Sequence, residues 1–232
     1  MLQIVDLSVE YGAVKALRSI SVNVDQGEIV CLLGANGAGK STLINAISGI
    51  VPVSNGDILF EGQSILQKKI YEISRLGIIQ CPEGRRLFAD LKVHENLLIG
   101  ASCGGYSLRR LSSDVDYLCS LFPILRERWH QMAGTLSGGE QQMVAIARSV
   151  LCKPRILLLD EPGLGLAPAV CKVLYKAIDD ISRSGINMLI VEQNVEEALK
   201  IASRGYILST GSCIASGEPD FLRGEWEKLG PN

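Results

Sequence analysis

The apolar positions of this 232-residue chain follow two patterns, one typical of strands and one typical of helices. Residues 1–25 alternate loosely between apolar and polar positions, with turn signals at Gly12 and at Gln26-Gly27, which predicts two strands joined by a turn. Later runs are apolar at every position, as expected for parallel strands buried on both faces. These runs span residues 29–33, 156–159 and 188–191.

Helical spacing replaces the strand pattern between residues 84 and 151. Before this stretch, residues 57–60 predict an edge strand, and residues 77–81 predict a further short strand. Within it, Pro123 separates one predicted helix from the next. The other helices are predicted at 41–48, 138–151 and 168–183. The pattern therefore predicts an α/β fold in a single domain, residues 1–232, with a helical insert at about 84–151.

Composition and charge narrow the class of protein. Hydrophobic residues make up 47% of the chain and charged residues 21%, which excludes a disordered chain, and the net charge of −2 disfavours nucleic acid as a partner. The N-terminus lacks a secretory signal, and no apolar run approaches the roughly 20 residues of a membrane span. The seven cysteines include no C-x-x-C pair, so neither disulfides nor a zinc site is expected.

The 24 glycines are the compositional outlier, and one cluster follows the predicted strand at 29–33. Residues 34–41 read Gly-Ala-Asn-Gly-Ala-Gly-Lys-Ser and fit G-x-x-x-x-G-K-[ST]. The backbone N–H groups of such a loop and the next helix N-terminus bind phosphate, and glycines keep side chains out of the way. Lys40 would reach the β- and γ-phosphates, and Ser41 would hold Mg²⁺. A chance glycine turn is the alternative, but the strand before and the helix after favour a nucleotide site.

Two carboxylates follow the apolar strand at 156–159. Asp160 and Glu161 stand where the carboxyl ends of parallel strands line a ligand crevice. Asp160 would bind Mg²⁺, and Glu161 would orient the attacking water in phosphoryl transfer. Two solvated acids at a strand end are the alternative, which the upstream loop makes less favourable.

A second glycine cluster, Leu136-Ser137-Gly138-Gly139-Glu140-Gln141-Gln142, opens the helix predicted at 138–151. Ser137 is the expected N-cap, and two glycines leave the backbone bare at a helix N-terminus, which suits an anion. Taken alone, the segment also fits an ordinary capped helix.

Together, the loop at 34–41, the L-S-G-G-E-Q segment and the L-L-L-L-D-E segment closely resemble the ATP-binding subunit of ABC transporters. The resemblance covers nearly the whole chain. It implies a P-loop core with an N-terminal antiparallel β subdomain and an inserted helical subdomain, with ATP and Mg²⁺ as cofactors. It also implies that Tyr11 stacks on adenine and that residues 163–166 form the D-loop. The Walker A residues that it places on ATP are Gly34, Asn36, Gly37, Ala38, Gly39, Lys40, Ser41 and Thr42.

In this family, two subunits meet head to tail. The resemblance implies that the signature residues Ser137, Gly138, Gly139 and Gln141 face the ATP that is held by the Walker A loop of the partner. The partner is either a copy of this chain or a sister ATPase.

Three further segments resemble the smaller ATPase subunit of branched-chain amino acid importers: residues 82–88, 161–168 and 191–194. This implies a peripheral subunit at the cytoplasmic face of the inner membrane, soluble when isolated. It would power import through a separate permease, with a solute-binding protein acting indirectly. Importers of urea or short amides are the alternative cargo class. Less favoured alternatives are a soluble ABC ATPase, a P-loop kinase and a binding-only regulator.

Two positions depart from the broad ABC pattern. Glu83 stands at the Q-loop position, where a carboxylate can still approach Mg²⁺, whereas Gln80 lies inside the predicted strand. Gln193 stands where the family has its switch histidine, and its amide can sense the γ-phosphate but cannot shuttle a proton. His94 and His130 are expected to serve packing only.

One basic pair has a functional alternative. Arg85 and Arg86 follow the Q-loop position directly, in the region that the family presents to the permease. The resemblance therefore leaves a docking role open for both arginines, beside the ordinary interpretation of a solvated face.

Overall fold

The computed structural model describes residues 1–106 and 108–229. Within these ranges the strands are β1 (Leu2–Tyr11), β2 (Val14–Val24), β3 (Ile29–Leu33), β4 (Asn55–Phe60), β5 (Gln63–Ser64), β6 (Ile78–Cys81), β7 (Ile156–Asp160), β8 (Asn187–Glu192), β9 (Arg204–Ser209) and β10 (Ser212–Gly217). The helices are α1 (Lys40–Ile47), α2 (Ile70–Arg75), α3 (Val93–Cys103), α4 (Leu108–Leu121), α5 (Ile124–Glu127), α6 (Gly138–Leu151), α7 (Pro168–Arg183), α8 (Val195–Ile201) and α9 (Pro219–Leu229).

The strands form two sheets. The N-terminal sheet has the order β2-β1-β4-β5 and is antiparallel. The larger sheet has the order β10-β9-β3-β8-β7-β6, and its pairs from β9 to β6 are parallel. The predicted α/β fold with an antiparallel N-terminal sheet is therefore confirmed.

The central strands are apolar at every position because both faces of the larger sheet are covered. In β3, Ile29, Cys31 and Leu33 belong to one core cluster, whereas Val30 and Leu32 belong to the other. Strands β7 and β8 divide their residues between the two clusters with the same alternation. Helices α6 and α7 supply much of the first cluster, and the N-terminal sheet and α1 supply the second.

The helices α3 to α6 lie between β6 and β7 in the chain, which is the stretch expected as the insert. Pro123 stands between α4 and α5, where it was predicted to separate two helices. Helix α6 begins with a capping box. The Ser137 hydroxyl accepts from the backbone N–H of Glu140 at 3.4 Å, and the Glu140 carboxylate accepts from the Ser137 N–H at 2.8 Å.

One sequence expectation is wrong. The predicted edge strand at 57–60 is part of β4, which pairs with β1 on one side and with the two-residue β5 on the other. At the C-terminal end, Trp226 of α9 is partly buried and packs against the first core cluster. Residues 230–232 lie outside the described residues. The amphipathic spacing of α9 was the signal that would have indicated this packing.

A glycine sets the contact distance between α3 and α6. A Cβ on Gly100 would lie 2.1 Å from the carbonyl oxygen of Arg148, a backbone atom that cannot move without displacing α6. We expect Gly100→Ala to lower the free energy of unfolding by about 2–3 kcal/mol because overpacking displaces one helix from the other. Chemical denaturation measures the change.

A matched glycine serves as the control. Gly224 lies in α9, and its added Cβ would meet nothing within 4 Å. Gly224→Ala should raise the free energy of unfolding by about 0.5–1 kcal/mol, because alanine favours a helix. Equal stability of the two variants would show that α3 and α6 are not in close contact at Gly100.

Candidate functional site

The loop at 34–41 connects β3 to α1. Strand β3 ends at Leu33 and helix α1 begins at Lys40, so the loop lies at the carboxyl end of a central parallel strand. The Lys40 ammonium donates to the carbonyl oxygens of Gly34 at 2.8 Å and Ala35 at 3.1 Å, and the side chain is buried. The lysine side chain thus folds back over its own loop, with its ammonium beside the first two carbonyl groups of that loop.

The three glycines of this loop make room for different neighbours. A Cβ on Gly34 would lie 2.6 Å from the carbonyl oxygen of Leu208, and one on Gly39, whose φ is 103°, would lie 2.8 Å from that of Ala16. Only Gly37 has open space around it. Sequence reasoning assigned all three to phosphate access, whereas Gly34 and Gly39 also allow neighbouring strands to approach the loop.

The acidic pair meets the loop. The Ser41 hydroxyl donates to Asp160 Oδ1 at 3.2 Å, and Lys40 Nζ lies 3.2 Å from Glu161 Oε1 in a buried ion pair. Glu161 has a φ of 47°, in the left-handed region, and its N–H donates to the carbonyl oxygen of Val191 at 2.9 Å. The end of β7 is therefore held in a sparsely populated conformation that aims the Glu161 carboxylate at Lys40.

The pKa of Asp160 is raised to about 6, mainly by burial. The Glu161 and Glu83 carboxylates contribute to this rise, and the Ser41 hydrogen bond and the Lys40 charge oppose it. The negative charges gathered here suit a divalent cation. Mg²⁺ commonly takes one or two carboxylates together with substrate phosphates, and Ser41 and Asp160 are positioned to supply the protein's share.

A cavity of about 650 Å³ opens beside the loop. Besides loop residues, Glu83, Glu161 and Leu164 line it, and so do residues that sequence reasoning missed: Val14, Lys15, Ala16, Arg18, Thr210 and Gly211. The turn between β9 and β10 is held there because Gly211 accepts from the N–H of Arg18 and donates to Ala38. No local motif marks these residues, because the tertiary fold brings them together from distant parts of the chain.

Tyr11 stands at the end of β1, opposite Val14 in the first hairpin, and is 47% exposed. Val14 lines the cavity and Tyr11 does not. The ring that is expected to stack on adenine thus belongs to the strand partner of a cavity-lining residue and does not itself line the cavity.

The two candidates for the Q-loop position are clearly separated. Gln80 lies within β6, and its amide donates to Asn45 Oδ1 at 3.2 Å. Glu83 follows β6, is exposed and lines the 650 Å³ cavity.

Gln193 follows β8 and borders two smaller cavities. One, of about 310 Å³, is shared with residues 35–38 of the phosphate loop, and the other, of about 360 Å³, with residues 163–166. His94 and His130 lie in the helical stretch, where His94 stacks on Trp129.

The L-S-G-G-E-Q segment lies outside the 650 Å³ cavity. A Cβ on Gly138 would lie 2.8 Å from Arg85 Nη2, and one on Gly139 would lie 2.6 Å from a methyl group of Val170. The Gln141 amide donates to two carbonyl oxygens of its own chain, and its oxygen accepts from Arg85 at 3.4 Å. The two glycine clusters are thus not brought together in one chain.

The basic pair at 85–86 divides into two environments. Arg85 is half-buried against the start of α6, whereas Arg86 is exposed. Both residues have positive φ, 65° and 45°, in the left-handed region. The Arg85 guanidinium turns toward α6, and Arg86 faces solvent.

The lysine of this glycine loop forms an ion pair with the carboxylate that follows β7, two strands from β3 in the sheet. This arrangement defines a nucleotide-hydrolysing P-loop protein. More particularly, residues 17–163 match the family model described as ABC transporter, and the chain belongs to this family. It is an ABC ATPase subunit that binds nucleotide.

Two curated relatives and one solved structure specify the likeness. The chain is 44% identical over 216 residues to "High-affinity branched-chain amino acid transport ATP-binding protein BraG" of Pseudomonas aeruginosa, covering 92% of this chain and 91% of the relative. It is 34% identical over 225 residues to "Lipopolysaccharide export system ATP-binding protein LptB" of Escherichia coli K12, covering 96% and 93%. The crystal structure of the ADP conformation of MJ1267, an ATP-binding cassette, matches with a TM-score of 0.85 at 27% identity and covers 100% and 99%.

Among the described residues, no helix combines the length and the apolar character that a membrane crossing requires.

Proposed function

We propose that this ATPase powers the import of branched-chain amino acids through a separate permease. The observation that carries the proposal is the likeness to BraG over 92% of the chain, at 44% identity, which exceeds the 34% identity to LptB. The subunit would bind peripherally at the cytoplasmic face of the inner membrane, and a solute-binding protein would act through the permease.

The phosphate loop and the acidic pair would divide the chemistry between them. Lys40 Nζ lies 3.2 Å from Glu161 Oε1 beside the loop. When nucleotide binds, Lys40 would exchange this contact for the β- and γ-phosphates. Ser41 and Asp160 would hold Mg²⁺, with Glu83 at the cavity wall. When bound, the cation would supply positive charge that stabilises the phosphate oxygens.

Glu161 would accept a hydrogen bond from the attacking water and orient it toward the γ-phosphate. The Gln193 amide would donate a hydrogen bond to the same phosphate, since its segment borders the phosphate loop. Tyr11 would stack on adenine at the far end of the cavity, beyond Val14. In this scheme no histidine takes part in proton transfer.

The second half of the site would come from another subunit. Ser137, Gly138 and Gly139 lie outside the cavity of their own chain, which supports a head-to-tail pair in which they contact the partner's ATP. Gln141 is occupied by Arg85 and by backbone carbonyls, so its part would be to support the loop. With Arg85 turned inward, Arg86 is the arginine free to meet the permease.

Uptake of radiolabelled leucine tests the proposal. Deleting the gene in its native host should lower high-affinity leucine uptake at least tenfold, and the wild-type gene should restore it while Glu161→Gln should not. The permease should co-purify with a tagged copy of the chain. Uptake of urea and short amides is the control, and loss of urea uptake with leucine uptake intact would contradict the cargo assignment.

A further inference from the structure

A buried carboxylate stands next to the proposed γ-phosphate sensor and plays no part in the chemistry described above. Glu192 is the last residue of β8, pairs with Leu33 at the start of the phosphate loop, and is 2% exposed. It lines the 360 Å³ cavity together with Gln193, which also borders the 310 Å³ cavity.

Both oxygens of Glu192 are fully used as acceptors. Oε1 accepts from the Tyr175 hydroxyl at 2.5 Å and from the Gly163 N–H at 2.9 Å. Oε2 accepts from the N–H groups of Gln193 at 3.1 Å and Asn194 at 3.2 Å. Three of these donors are backbone groups that can only donate, so the arrangement fits the ionised carboxylate.

None of the ion pairs among the described residues includes Glu192, so no cationic side chain balances its charge. Burial raises the pKa of Glu192, and the four hydrogen bonds oppose that rise. Burying a carboxylate costs desolvation, and here four hydrogen bonds and no cation offset that cost. Four donors gathered on one side chain point to a role in fixing conformation.

The four donors come from segments with different tasks. Gly163 opens the D-loop, residues 163–166, which would face the partner subunit, whereas Gln193 would sense the γ-phosphate. Tyr175 is a buried residue of α7, the helix that follows the D-loop. A Cβ on Gly163 would lie 3.2 Å from Glu192 Oε1, so the loop backbone is packed directly on the carboxylate.

We propose that Glu192 is a positioning residue that, with the Tyr175 hydroxyl, holds the D-loop and the Gln193 segment as one rigid unit. Through it, contact with γ-phosphate and contact with the partner subunit change together. The coupling to the partner subunit rests on the head-to-tail arrangement of the proposed function. It does not depend on which cargo is transported.

The test uses steady-state ATP hydrolysis by the purified full-length chain. In Glu192→Gln the new NH₂ group must face either two backbone N–H groups or the Tyr175 hydroxyl and the Gly163 N–H. The second orientation costs less because the hydroxyl can accept a hydrogen bond, and it leaves the Gly163 N–H unpaired. We expect kcat to fall about tenfold, with KM for ATP within twofold of wild type, because the phosphate loop is untouched. Glu196→Gln, the same change at an exposed site on α8, should leave both constants unchanged.

Tyr175→Phe is the second variant and keeps the ring while removing one donor. We expect kcat to fall about threefold, and the double variant to be no slower than Glu192→Gln alone, since both changes break the same unit. If Glu192→Gln does not fold, the kcat of Tyr175→Phe decides.

A kcat within 1.5-fold of wild type in both folded variants would overturn the proposal, as would a lowered melting temperature with unchanged kinetics. Failure of the import proposal is distinguishable, because it would appear in leucine uptake while these hydrolysis constants stay as expected. If Glu161→Gln protein does not pair when ATP is added, the head-to-tail arrangement fails, and kcat still reports on the unit held by Glu192 and Tyr175.

Discussion

Glu161→Gln should leave ATP binding intact and lower kcat by about 10²–10⁴-fold, the range that general-base catalysis contributes. The amide keeps the size of the side chain and its position at the end of β7, next to Lys40. It carries no charge with which to orient and polarise water. Since ATP stays bound and uncleaved, the ATP-loaded pair of subunits should accumulate, which size-exclusion chromatography measures.

Fluorescent-nucleotide binding and phosphate release, measured on the same preparation, separate the two effects. Glu127→Gln is the control, because it makes the same change at an exposed residue of α5. Full hydrolysis by the Glu161→Gln variant would show that another group activates the water, and the role given to the end of β7 would be wrong.

Lys40→Met should instead weaken ATP binding itself. Methionine preserves the apolar stem of the buried lysine but leaves no charge for the phosphates. A hydrogen bond to a charged group contributes about 1.5–3 kcal/mol, so the Kd for ATP should rise by about 10- to 100-fold or more. Calorimetric titration with ATP measures it.

The lysine change also leaves Glu161 without its ion-pair partner in the nucleotide-free chain, so the melting temperature should fall. Lys176→Met, at an exposed position of α7, is the matched control and should change neither quantity. Unaltered ATP affinity in Lys40→Met would mean that the loop binds phosphate through its backbone alone.

The two outcomes together separate the role of Glu161 from that of Lys40. Binding without turnover in Glu161→Gln would place Glu161 in the chemical step, and weakened binding in Lys40→Met would place Lys40 in nucleotide capture. If both variants lost only binding, the buried ion pair would be a structural support of the loop.

Much of the fold was predictable because its signals are local. The runs at β3, β7 and β8 are apolar throughout, and the structure divides each run between two cores, as burial on both faces requires. Where the signal was weak, prediction failed. Strand β5 has two residues, and Trp226 packs through an amphipathic pattern that is short of apolar residues.

The sequence by itself determined the chemistry at the ends of the strands. A glycine loop before a helix and two acids after an apolar strand are patterns of adjacent residues, and the parallel sheet must bring their strand ends to one edge. The family followed from the same segments.

The tertiary structure alone decided the rest. It placed Arg18 and Gly211 in the cavity wall, turned Arg85 onto α6, and gathered Tyr175, Gly163 and Gln193 around Glu192. These contacts join elements that are distant in the chain. Their partners are selected by packing and by the requirement that buried polar groups be paired, and neither leaves a periodic trace in the sequence.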